Sequence, residues 1–281
     1  MGVAALLGAI MGSFINCLAW RTAKGESVLA GRSHCPACNH VLGPLDLIPI
    51  VSWLALRGRC RHCGAPVSAR YVLVEVTMAL AFAALLAVHG AGVPWLAYAA
   101  LATVLMGAAL VDWDTFTIPN GFVIAAIAIW AASVWFMRPP SVAMFGVGSM
   151  FVPLAGAGWL AVALDGVVGA LAVGIGILLF SLGFDAVTKR TSLGGGDVKL
   201  LFAVGLFLGL AGSLLNLLVA CVLGLAFAVA SGLSTSPSSK GEQAKNLKAK
   251  AIPFGPAIAA ATVATLLVGP AVLTWYTGLF L

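Results

Sequence analysis

The chain has 281 residues, of which 62% are hydrophobic and only 9% charged, with a formal net charge of +6 and a mean hydropathy of +1.09. A soluble domain carries about a quarter charged residues, so the composition excludes an ordinary soluble globule and indicates a polytopic membrane protein. The pI near 9.2 then reflects orientation in the bilayer and contact with anionic lipid, not nucleic acid.

Residues 3–20 open the chain with an apolar run close to the roughly 20 residues that a helix needs to cross a bilayer. No basic residue precedes it, which argues against a cleaved signal peptide. The loop 21–70 that follows is polar and basic. It holds "CPAC" at 35–38 and "CRHC" at 60–63, a C-x2-C-x21-C-x2-C spacing close to that of zinc ribbons. Cys35, Cys38, Cys60 and Cys63 can each supply one thiolate to a tetrahedral zinc, and four thiolates leave no open position for catalysis. A redox C-x-x-C would need a βαβ pattern, which is missing, and a reducing compartment argues against disulfides. A loop this small cannot rely on its own core, so a structural metal is expected to hold it folded. His34, His40 and His62 are expected to be solvated. Cys17 and Cys221, in apolar runs, read as small buried hydrophobes.

Further spans follow at 71–89, 93–111 and 119–137, the second of them leading into "ALVDWDTFTIPN". Residues 141–164 are apolar but contain Pro153 and several glycines, and read as an external hairpin or re-entrant piece. A span at 166–184 leads to "SLGGGDVKLL" at 192–201. The apolar stretch 198–232 is too long for one span, and Gly209 and Gly212 offer a break, giving 198–210 and 212–232. A polar linker, "STSPSSKGEQAKNLKAK", occupies 234–250, and 255–279 forms the last span. The expected fold is therefore an all-α polytopic membrane protein of about eight helices. Its organisation is a first helix (1–20), a zinc-ribbon-like cytoplasmic loop domain (21–70) and a multi-helix membrane domain (71–281).

Basic residues orient this arrangement. With the N-terminus outside, every Lys and Arg except Arg138 falls on the cytoplasmic side, as the positive-inside rule requires. The chain has only nine Asp and Glu residues, and acids at membrane depth are costly and usually functional. Asp112 ends the third span and Asp197 begins the sixth, both at the cytoplasmic face. Two carboxylates brought together cannot both ionise easily and share a proton, which is the machinery of an aspartic protease. Gly194, Gly195 and Gly196 would let an extended substrate backbone approach Asp197. The competing reading is that each acid caps a helix. Two other classes compete as well. A proton-coupled transporter predicts acids nearer mid-span and a visible inverted repeat. A membrane-tethered zinc module predicts that neither acid matters.

These stretches together resemble the type IV prepilin peptidases, membrane aspartyl proteases of the GxGD type, over almost the whole chain. "GSFINC" with "WR" at 12–21 is similar to the opening helix, and "CPAC" with "LRGRCRHCGAPVSARYVLVE" to the cysteine loop and second helix. "VDWDTFTIPN" resembles the segment bearing the first catalytic aspartate, which maps to Asp112 and not Asp114. "GGGDVKLL" matches the GxGD segment at Asp197, and "IPFGP" at 252–256 the lead into the last helix. The resemblance implies cleavage of the basic leader from prepilins and pseudopilins at the cytoplasmic side of the inner membrane. It also implies N-methylation of the new terminus with S-adenosylmethionine, the alternative being a peptidase alone. Lys199 is expected to tune the acids, meet substrate or snorkel to lipid phosphate. Arg21, Arg70 and Glu75 are polar groups for a methyl-donor site, with Glu75 equally placed to pair with Arg70 or Arg21. The chain departs from the family pattern at Asn120, where Asp is common, at Val72, where Pro is common, and over 138–165, which resembles an insertion. The oligomeric state is left open.

Overall fold

A computed structural model describes residues 1–28, 31–137, 158–189, 194–230 and 253–279. Most of the expected 141–164 hairpin and the whole 234–250 linker lie outside these residues. The regular structure described is helical: α1 (Gly2–Lys24), a short α2 (Val51–Ala55), α3 (Ala69–His89), α4 (Val93–Thr115), α5 (Asn120–Ser133), α6 (Gly158–Thr188), α7 (Gly195–Ala230) and α8 (Gly255–Thr277).

Local chemistry sets the boundaries that matter for the site. α1 stops at Gly25, whose left-handed φ of 70° closes the helix. The hydroxyl of Ser68 caps α3 by accepting the Arg70 N–H at 3.2 Å. α4 ends where Phe116 turns left-handed (φ 55°) and donates its N–H to the Asp112 carbonyl. Residues 158–164, expected to belong to a hairpin, form the first turns of α6, because no break separates them from the apolar run behind.

Six of these helices are long and apolar enough to cross a membrane, and the apolar piece Asn120–Phe136 is shorter. The expected count of eight differs at two places, this shorter piece and α7, which is one element broken at Gly209. Contacts between helix ends show the path of the chain. Arg70 at the start of α3 meets Asp114 at the end of α4, and the His89 ring at the end of α3 bonds to the Leu266 carbonyl, well along α8. Trp135 stacks near Trp159, joining the end of α5 to the start of α6. The ends of α1, α4 and α6 and the starts of α3, α5, α7 and α8 thus share one face with the cysteine loop. α4 is the most enclosed helix, with 56% of its apolar window buried. It packs Leu101, Leu105 and Ala108 into a core with Leu200, Leu201 and Ile258, all almost fully buried. The helix that carries Asp112 is therefore the centre of the bundle. Cys221, expected to be buried, is exposed on α7, where an apolar side chain faces lipid at no cost.

The break in α7 sets the path of two arms. Gly209 has φ 67° and ψ −173°, a region essentially reserved for glycine, and a Cβ there would strike the Asp165 carboxylate of α6. The first arm packs on α6, with Gly205 against Ala170 and Gly166 against Leu206. The second arm runs back along α8, where Asn216 accepts a hydrogen bond from the Thr262 hydroxyl. It ends with Phe227 packed edge-on against Trp113 of α4, 5.3 Å between ring centroids. Gly209→Ala is expected to lower stability by about 1–3 kcal/mol from backbone strain alone. Thermal unfolding in detergent checks this, and an unchanged Tm would show that the break does not need glycine.

Candidate active site

Asp112 sits one turn before the end of α4 and is only 5% exposed. Its Oδ2 accepts a 2.9 Å hydrogen bond from the Gly255 N–H, at the first residue of α8. An added Cβ at Gly255 would lie 2.8 Å from that oxygen, so this close approach requires glycine. "IPFGP" therefore delivers a backbone donor to the first acid, a role that spacing alone does not reveal.

Asp197 lies in the first turn of α7, where a carboxylate is favoured by the helix N-terminus. Its own N–H donates to the Gly194 carbonyl at 3.0 Å. Gly196 packs on Ile118 of the "TFTIPN" turn, and Lys199 Nζ donates to Asn120 Oδ1 at 3.1 Å. The glycine loop is thus pinned to the segment that follows Asp112. The segments that bear Asp112 and Asp197 therefore meet, although 85 residues separate the two acids in sequence. Lys199 contacts Asn120, one of the departures from the family pattern.

Asp114 has a different environment two residues on. Arg70 Nη1 donates to its Oδ1 at 2.6 Å, and Arg70 Nη2 to the Leu110 carbonyl. The pairing of Arg70 with Glu75 does not form, because Arg70 points toward α4. Glu75 instead accepts the Ile50 N–H at 2.6 Å through Oε2. Arg21 Nη2 donates to the Gly31 carbonyl. Of the three polar candidates, Arg21 and Glu75 line one cavity and Arg70 is not among its walls.

The four cysteines form a second cluster. Their Sγ atoms all lie within 4.8 Å of one another, with Cys35 and Cys63 at 3.9 Å. Zinc–sulfur bonds of about 2.3 Å in a tetrahedron place sulfurs about 3.8 Å apart, so the donor set fits zinc. The two C-x-x-C motifs build the same knuckle. Cys35 and Cys60 each donate N–H five residues on, to His40 and Ala65, and each carbonyl receives the N–H four residues on, from Asn39 and Gly64. Asn39 and Gly64 both take positive φ, and the flanking bridges His34–Val41 and Arg59–Pro66 fall at equivalent places. Backbone N–H groups of Cys63, then His62, hold the Cys60 thiol down to about 7, which favours the ligating thiolate. His40 and His62, expected to be merely solvated, stack with ring centroids 3.5 Å apart. Arg61 beside Asp46, at 2.7 Å, and the Gly43 N–H hold the Asp46 carboxyl below the usual range.

Comparison with known proteins gives a consistent result. Residues 6–89 match the model of the bacterial peptidase A24 N-terminal domain, and residues 99–229 match that of the type IV leader peptidase family. A prepilin leader peptidase/N-methyltransferase of Aeromonas hydrophila is 32% identical over 255 residues, covering 91% of this chain and 78% of that protein. The type 4 prepilin-like proteins leader peptide-processing enzyme of Escherichia coli O78:H11 is 31% identical, over 92% of this chain and 90% of its own length. A prepilin leader peptidase/N-methyltransferase of Bacillus subtilis is 29% identical, over 96% and 95%. No solved structure matches.

Proposed function

The chain belongs to the type IV leader peptidase family, and from that premise we propose that Asp112 and Asp197 form a general acid–base dyad that cuts prepilin and pseudopilin leaders. The observation that supports this reading is geometric: the glycine loop that bears Asp197 is pinned to the turn that follows Asp112, through Gly196 on Ile118 and Lys199 on Asn120. One proton shared between them divides the labour. The ionised carboxylate takes a proton from water as the water oxygen attacks the scissile carbonyl carbon. The protonated carboxyl donates a hydrogen bond to the carbonyl oxygen. The carbon–nitrogen bond then breaks as a dyad proton passes to the leaving amine. The Gly255 N–H holds Oδ2 of Asp112, leaving its other oxygen for the reaction. Gly194, Gly195 and Gly196 offer a backbone edge without side chains, and Lys199 fixes the loop through Asn120.

The distribution of basic residues supports an orientation with this face in the cytoplasm and the N-terminus outside the inner membrane, so that a basic leader meets the dyad. Cys35, Cys38, Cys60 and Cys63 hold a structural zinc. The relatives named leader peptidase/N-methyltransferase support a second activity, methylation of the new N-terminal amine, for which S-adenosylmethionine supplies the methyl group.

The test uses detergent-purified protein, a prepilin with a basic leader, and mass spectrometry with and without S-adenosylmethionine. Loss of the leader is expected in both cases, and one added methyl mass only with the donor. An intact prepilin in the presence of folded enzyme would overturn the peptidase reading. Cleavage without methylation would leave a peptidase alone.

A further inference from the structure

The cysteine loop, α1 and the first turns of α3 enclose a cavity of about 420 Å³, within the range of small-molecule sites. Its walls combine aromatic rings, Trp20, Trp53 and Tyr71, with two buried charged side chains, Arg21 and Glu75, and with Arg59, Arg61 and Asp46 of the loop. Flat aromatic walls with a few fixed polar groups are the composition of a pocket for a nucleoside-sized ligand. Trp53 is held in place, its Nε1–H donating to the Val67 carbonyl at 3.1 Å.

Glu75 is the informative wall. It is 7% exposed, and its one hydrogen bond among the described residues comes from the Ile50 N–H. Ile50 has φ 63°, a conformation that a β-branched residue very rarely adopts. A buried carboxylate that spends one oxygen on a strained backbone turn has no hydrogen-bond partner for its other oxygen among the described residues, and it stands on the cavity wall. An acceptor so placed suits a cationic group of a ligand, and the arginine walls suit an anionic group of the same ligand.

Position ties this cavity to the dyad. Arg70 reaches α4 at Leu110 and Asp114, beside Asp112, while Tyr71 and Glu75 of the same helix line the cavity. The first turns of α3 are therefore a shared wall between the two sites.

We propose that this cavity binds the methyl donor, a nucleoside carrying a sulfonium cation, with Glu75 balancing the positive sulfur and the aromatic walls taking the base. This assignment rests on the N-methyltransferase reading above.

Calorimetry on the purified full-length protein, with S-adenosylmethionine and with S-adenosylhomocysteine, tests it, because only the first carries the sulfonium charge. Glu75→Gln keeps an acceptor for Ile50 and removes the charge. It should weaken S-adenosylmethionine about tenfold, the effect of losing a charge-assisted contact, and S-adenosylhomocysteine clearly less. Ser52→Trp, which fills the cavity from α2, should abolish binding of both. Zinc stoichiometry and Tm identify folded variants, and Glu75→Gln decides alone if Ser52→Trp misfolds. Normal S-adenosylmethionine affinity in folded Glu75→Gln would overturn the assignment, as would an equal loss for both compounds. If the wild type methylates a prepilin while the variants bind normally, the cavity assignment falls and the methyltransferase reading stands. A wild type that neither methylates nor binds would sink both.

Discussion

Replacing Asp112 or Asp197 by asparagine is expected to slow leader cleavage by about 10³-fold or more, the scale of a lost general acid or base. The substitution isolates proton chemistry from architecture. In Asp112→Asn the side-chain amide oxygen can still accept the Gly255 N–H that now meets Oδ2, and position 197 keeps its N–H bond to the Gly194 carbonyl. Thermal unfolding in detergent should stay close to wild type in both variants. Asp114 supplies the contrast from only two residues away. Asp114→Asn breaks the ion pair with Arg70, a half-exposed contact worth no more than about 1 kcal/mol, so cleavage should fall less than about tenfold. Cleavage by the wild type should also decline on both sides of a pH maximum. At low pH both acids carry protons and no base remains; at high pH neither does and no acid remains. A folded Asp112→Asn or Asp197→Asn variant that cleaves within tenfold of wild type would remove the dyad, and the tethered zinc module would take its place.

Much of this arrangement is legible from residues alone, and the limits have physical causes. Apolar runs announce the helices because lipid demands long uninterrupted hydrophobic segments. The thiol spacing announces the cluster because each knuckle closes over a few residues. The two acids stand out because charge is scarce in this chain. The Gly255 contact crosses 143 residues to reach Asp112, and such a pairing leaves no periodic trace. Arg70 has more than one acid within reach of its helix, and only the packing of α3 on α4 decides for Asp114. The full length of α6 is not legible because Gly158 and its neighbours read as helix breakers in water, whereas in a bundle small residues permit close helix contact. The repeat of the two knuckles is hidden because it lies in backbone bonds, with few shared side chains.

Removal of zinc is expected to unfold the cysteine loop and to separate the two activities. Among the described loop residues 31–68, only Cys35, Gly58 and Cys60 are buried, so no hydrophobic core stands behind the metal. Zinc binding in small metallo-domains contributes roughly 10–16 kcal/mol of apparent free energy, which is folding free energy. The ion pair of Arg61 with Asp46 is exposed on the arginine side and cannot replace it. Cys35→Ser or Cys60→Ser should therefore abolish zinc binding, measured by metal analysis, and make the loop sensitive to limited proteolysis. Both cysteines are also walls of the cavity between the loop, α1 and α3. Methylation should fall about 100-fold or more, since a site whose walls disperse loses its bound geometry. Leader cleavage should fall less than about tenfold, because the dyad is held by Gly255, Ile118 and Asn120, none of them in the loop. A zinc-free protein that resists protease and still methylates would show that the metal is not what folds the loop. A parallel loss of cleavage would show instead that the shared wall of α3 transmits loop order to Asp112 through Arg70, making the two active sites one cooperative unit.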